Sequence, residues 1–222
     1  MCDTQENIVP KADEVNSELG AEHYTYLALG DSYTIGESVK AKESFPAQLE
    51  KNLENSGNRK IETKILAQTG WRTDNLLDAI ETTELKPTYD FVTLLIGVNN
   101  QYQGIPFATY EKEFPTLLNL AITFADANAQ RVVVISIPDW GYTPFGSNRD
   151  QQKISSEIDA YNTFAKKTAE ASGVSFIDIT DITREGLDRP ELVANDGLHP
   201  SGVAYELFVN RIASIISPRL KD

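Results

Sequence analysis

Ser32, His199 and Asp196 supply the residue types of a nucleophilic relay. A serine hydroxyl is a poor nucleophile until a base takes its proton, and a neutral imidazole suits that task near pH 7. The chain has two histidines. His23 precedes the first apolar run, in a polar stretch, where an exposed and idle role is expected. His199 follows Asp196 by three residues, across a turn containing Gly197. That spacing lets the carboxylate meet Nδ1 and fix the tautomer that leaves Nε2 for Ser32. Taken alone, Asp-x-x-His also fits an aspartate that caps the final helix. Acyl transfer needs preorganised donors for an oxyanion as well. The candidates are the backbone N–H of Ser32, the backbone N–H of Gly70 and the side-chain amide of Asn99, each worth about 2.7–4 kcal/mol of barrier. Gly70 permits close approach because it lacks a Cβ. Taken singly, the glycine and the asparagine also read as plain turn residues.

These residues matter only if folding gathers them. Short apolar runs at 24–29, 61–66, 91–96, 131–137 and 174–179 read as strands, and amphipathic stretches at 45–55, 73–84, 107–129, 154–172 and 201–216 read as helices. FVTLLI and RVVVISI are apolar throughout, as expected of strands covered on both faces. Thr73 or Asp74 and Ser201 are the expected helix caps, and Gly173 a helix stop. Pro115 either kinks the 107–129 helix or starts a second one. Strand alternating with helix predicts a parallel sheet in a three-layer α/β/α sandwich. Ligands bind such sheets beyond the carboxyl ends of the strands. Gly30-Asp31-Ser32, Gln68-Thr69-Gly70-Trp71, Gly97-Val98-Asn99-Asn100 and Pro138-Asp139-Trp140 each follow a predicted strand, and Asp196-Gly197-Leu198-His199 ends a longer loop after the fifth. Tyr33, Ile35, Trp71, Tyr102, Trp140, Tyr142 and Phe145 fall near the same edge, where they either line an apolar pocket or pack the loops onto the domain.

Four blocks, LALGDSYTIGE, AQTGW, LLIGVNNQ and NDGLHPSG, occur in this order. Together they are similar to the signature blocks of the SGNH (GDSL-type) hydrolases, and the wider pattern, with GWRTDNLL and IPDWGYTPF, resembles bacterial lysophospholipase-like esterases. The resemblance implies a flavodoxin-like five-stranded parallel sheet in the order 2-1-3-4-5. It also implies ester hydrolysis through an acyl-enzyme, with no metal and no cofactor. Ser32, Asp196 and His199 would be its catalytic residues, and Ser32, Gly70 and Asn99 its oxyanion donors. Asn100 stands where that family often has aspartate. The other common serine-esterase signature, Gly-x-Ser-x-Gly, is broken by Thr34. Lysophospholipids or short-chain acyl esters are the implied substrates, and a carbohydrate O-acetylesterase is the alternative within the class. A non-catalytic flavodoxin-like binding module is a rival, but neither Gly-x-Gly-x-x-Gly nor Gly-x-x-x-x-Gly-Lys is present to cradle phosphate. A carboxylate-pair glycosidase is another, but with 33 Asp and Glu residues some pair is always available.

The net charge of -13 repels phosphate backbones and anionic lipid, so the expected partner is a small-molecule ester and not a nucleic acid. A single cysteine excludes an internal disulfide, and Cys2, His23 and His199 lack the spacing of a metal site. Residues 1–22 read as a flexible tether and 23–222 as one hydrolase domain. Cys2 at the head of that tether resembles the first residue of a mature bacterial lipoprotein with a start Met in place of its signal peptide. That predicts a lipid anchor at Cys2 and a membrane-anchored, extracytoplasmic protein. The alternative is an incidental cysteine in a cytoplasmic protein.

Overall fold

A computed structural model describes residues 21–220. Cys2 and the expected tether up to residue 20 lie outside the described residues. In chain order the elements are β1 (Glu22–Asp31), α1 (Ser32–Ile35), α2 (Phe45–Asn55), β2 (Arg59–Gln68), α3 (Thr73–Thr82), β3 (Phe91–Leu95), α4 (Val98–Tyr102), α5 (Phe107–Phe124), β4 (Val132–Ile135), α6 (Gln151–Ala171), β5 (Ser175–Ile177), α7 (Thr180–Thr183) and α8 (Gly202–Ile216). All strand pairs are parallel and the order is β2-β1-β3-β4-β5. The three-layer sandwich expected from the alternating pattern is therefore the fold adopted.

Burial explains which strands lie where. β3 and β4 are buried along their whole length, so both faces must be apolar. β2 lies at one edge and mixes buried with exposed positions. α2 and α8 pack against each other on one side of the sheet, while α3, α5 and α6 form the other layer. Phe45, Tyr205 and Phe208 fill the first interface, and Tyr110, Phe114, Tyr161 and Phe164 fill the second.

Several boundaries differ from the expected ones. α5 runs through Pro115 as one helix, because Tyr110, Phe114, Leu117, Leu118 and Ala121 are all buried on one face. Their packing outweighs a proline penalty of about 3 kcal/mol. The helix stops at Phe124, before residue 129, because Asp126 and Ala127 take positive φ. β4 ends at Ile135 where Asn162 of α6 takes over, accepting from Ile137 N–H at 2.8 Å and donating to its carbonyl at 3.0 Å. β5 covers three residues of the expected six, since Ile179 N–H turns away to Ser136 Oγ. α3 is capped at Arg72 and not at Thr73 or Asp74. Among the described residues no helix is long and apolar enough to cross a membrane.

Register positions the functional edge. Asp31 at the end of β1 sits opposite Gln68, and Gly30 sits opposite Leu95. The chain segments holding Ser32, Gly70 and Asn99 therefore leave the sheet side by side.

Candidate active site

The strand β1 converts to helix within one peptide. Asp31 is the N-cap of α1, and its carboxylate accepts the Tyr33 N–H at 3.0 Å. Ser32 is then the first helical residue, with an N–H that has no intrahelical acceptor. The turn needs Gly30: a Cβ there would lie 2.1 Å from Thr34 Oγ1 and 2.5 Å from the Leu95 carbonyl. Ser32 is 3% exposed, at the floor of a cleft of about 350 Å³ that Gly70, Asn99 and His199 also line.

Gly70 takes φ 81°, a conformation in which a side chain is strained. Its carbonyl accepts from Gln103 Nε2 at 3.0 Å, which braces the turn against the end of α4. Asn99 lies on α4, and its Nδ2 donates to the Trp71 carbonyl at 3.0 Å. One amide proton is thereby committed and orients the group, and the same side chain also acts as a donor toward the Asp31 carboxyl.

The departure at Asn100 has a physical cause. Asn100 is 1% exposed, accepts from Thr73 N–H at 3.0 Å and donates from Nδ2 to Thr73 Oγ1 at 2.6 Å. Thr73 Oγ1 donates its one proton to Glu113. An aspartate at position 100 would meet that same oxygen with no proton left to share. The amide thus ties the start of α3 to the α4 turn, a role invisible in the sequence.

Asp196 and His199 meet as the spacing predicts. Asp196 Oδ1 accepts the backbone N–H groups of Leu198 and His199, and Oδ2 lies 2.6 Å from His199 Nδ1. Ser201, not Asp196, caps α8 by accepting from Ala204 N–H. A carboxylate on Nδ1 selects the tautomer with its proton there, so Nε2 is an acceptor. The Tyr33 ring packs 5.0 Å from the imidazole. Ser32 Oγ and His199 both border the cleft without a hydrogen bond to each other, and such bonds often tighten only when substrate is in place.

Charge is managed by burial and by donors. Partial burial pulls the Asp196 carboxyl upward, but donors from His199, Leu198, Ser38 and the His199 N–H outweigh it and hold it down to about 2. Asp31 behaves oppositely. Complete burial pushes its carboxyl up to about 7 against the donors of Tyr33, its own N–H and the Asn99 side chain, and among the described residues no group lies within full hydrogen-bonding geometry of its Oδ2. A carboxyl raised on folding contributes stability that is full below the unfolded range near about pH 4, and that is lost as pH rises through 7. Asp31→Asn keeps the acceptor for Tyr33 and cannot ionise. Its melting-temperature advantage over wild type should therefore grow between pH 5 and pH 8, by roughly 5 °C or about 2 kcal/mol. Paired thermal melts check this, and a difference independent of pH refutes the buried-acid assignment.

Tyr102, Trp140 and Phe145 form one wall of the cleft, with ring centroids 5.3–6.1 Å apart. Trp140 is fixed by its own bonds: Nε1 donates to Gln101 Oε1 at 2.8 Å, and Gln101 Nε2 donates to Glu157 at 2.7 Å. Its loop is anchored by fully buried Asp139, which accepts from Gly141 N–H, Ser155 Oγ and Arg184 Nε. Of the aromatic residues expected at this edge, Tyr33 and Trp140 line the cleft and Tyr102 stands 49% exposed at its rim. Trp71, Tyr142 and Ile35 do not border it; Trp71 packs against the core instead. Among the described residues no group of three or more His, Cys, Asp or Glu converges as a metal site.

A parallel 2-1-3-4-5 sandwich with its serine, glycine, asparagine and histidine at one strand-end cleft belongs to the class of α/β/α hydrolases. The chain is a member of the GDSL-like lipase/acylhydrolase family, whose model matches residues 28–207. No curated protein matches it. Among solved structures it is similar to a lipase/acylhydrolase from Enterococcus faecalis, at 23% identity over 89% of this chain and 97% of the other, with a TM-score of 0.69. A lipolytic G-D-S-L family protein from Veillonella parvula aligns at 20% identity over 88% and 99%, with a TM-score of 0.66. The acetylxylan esterase Axe2 from Geobacillus stearothermophilus aligns at 18% identity over 89% and 95%, also with a TM-score of 0.66.

Proposed function

We propose that the protein is a serine esterase that cleaves carboxylic esters through an acyl-Ser32 intermediate. The observation that carries this reading is the 2.6 Å contact between Asp196 and His199 Nδ1 at the mouth of the cleft that holds Ser32. His199 Nε2 takes the Ser32 proton as Oγ attacks the ester carbonyl. The N–H groups of Ser32 and Gly70 and the side-chain amide of Asn99 receive the oxyanion. The imidazolium then protonates the leaving alcohol. Water, deprotonated by the same imidazole, attacks the acyl-enzyme and releases the acid, returning the proton to Ser32. A fluorophosphonate probe tests the assignment: the phosphonylated peptide should contain Ser32. Labelling elsewhere, or none, favours the non-catalytic binding module.

For substrate, the wall of Tyr102, Trp140 and Phe145 favours an apolar acyl chain over an acetylated sugar. About 350 Å³ is a small ligand cleft. Across p-nitrophenyl esters, kcat/KM should rise from C2 into the medium-chain range by up to about fourfold per methylene, the equivalent of about 0.8 kcal/mol each. It should fall again by C12, when the chain outgrows the site. A maximum at C2 that drops with every added carbon supports the carbohydrate O-acetylesterase instead.

A further inference from the structure

We propose that Ser38 is a positioning residue for the Asp196–His199 pair, its hydroxyl holding Asp196 through the same oxygen that faces His199 Nδ1. This rests on the esterase reading of the site and adds a residue to it that no motif contains. Asp196 accepts four hydrogen bonds. Three come from Leu198 and His199, within its own loop, and they move with it. The fourth is Ser38 Oγ to Asp196 Oδ2 at 2.7 Å, across 158 residues of sequence. Among the described residues it alone references the carboxylate to another part of the chain.

That other part is the segment carrying the nucleophile. Glu37 N–H and Gly36 N–H both bond the Ser32 carbonyl, and Val39 N–H bonds the Gly36 carbonyl. The turn is thus a direct continuation of α1. Within it Ser38 takes φ 65°. A non-glycine residue there is strained, a strain glycine would avoid. What glycine lacks is the hydroxyl. The carboxylate also needs donors, because its partial burial works against the charge. The sole ion pair of Asp196 among the described residues is with His199.

Ser38→Gly and Ser38→Ala separate positioning from turn geometry. Both remove the hydroxyl, but glycine also relieves the backbone. If Ser38 serves only the turn, glycine matches or improves on wild type. If it positions Asp196, both variants lose about 5- to 20-fold in kcat, with KM within twofold. Proton NMR of the His199 Nδ1–H supplies a readout independent of turnover, with one other histidine in the chain to assign. That resonance should shift or broaden in both variants. An unmoved resonance, or kcat within twofold of an active wild type, overturns the proposal. A moved resonance in a protein that hydrolyses no ester leaves the positioning role standing and refutes the esterase reading alone.

Discussion

Replacing Ser32 with alanine should lower kcat on p-nitrophenyl acetate by about 10⁴-fold or more and abolish fluorophosphonate labelling, with little change in melting temperature. Among the described residues Ser32 Oγ has no hydrogen-bond partner, so its loss leaves no partner stranded. Alanine also suits the first position of a helix, and the cap supplied by Asp31 is untouched. The Ser32 and Gly70 N–H groups and the Asn99 amide remain, so substrate should still bind and KM should change little. Circular dichroism and melting curves beside steady-state kinetics check the separation. A variant that retains more than a few percent of wild-type turnover overturns the acyl-enzyme.

The second large effect belongs to Asn99. Asn99→Ala should reduce kcat by about 10²- to 10³-fold, or about 2.7–4 kcal/mol, with KM nearly unchanged. A donor aimed at the oxyanion is felt in the transition state more than in the ground state. Asn99 also holds the Trp71 carbonyl, and that carbonyl sits in a partly exposed turn where water can replace the amide. Stability should accordingly fall by no more than about 1 kcal/mol. Asn99→Asp should be worse than alanine for kcat, since it sets a negative charge beside the developing oxyanion. A variant that loses stability while keeping kcat would reduce Asn99 to a tether for the Trp71 turn.

What was readable from residues alone shares one property: it is local. The apolar runs of β3 and β4 declare burial on both faces. Gly-Asp-Ser encodes a strand-to-helix turn, because Gly30 fits under Thr34 and Asp31 caps the next residues. Asp196 and His199 lie three residues apart, close enough for the chain itself to bring carboxylate and imidazole together. The α/β alternation, the strand-end placement of four motifs and the Asp–His pair therefore followed from the sequence.

Tertiary structure decided every partnership between distant segments. Gly30 opposite Leu95 and Asp31 opposite Gln68 are matters of register, which a composition of apolar residues does not encode. Nothing near Ser38 points to Asp196, and nothing near Asn100 points to Thr73 and Glu113. Trp71 and Trp140 look equally suited to line a pocket, yet one packs against the core and the other is held at the cleft by Gln101 and Glu157. The physical reason is that side-chain patterning reports how much water a position sees and which local backbone it prefers. Which remote groups share a hydrogen bond is fixed only when the crossovers close and the strands choose their neighbours.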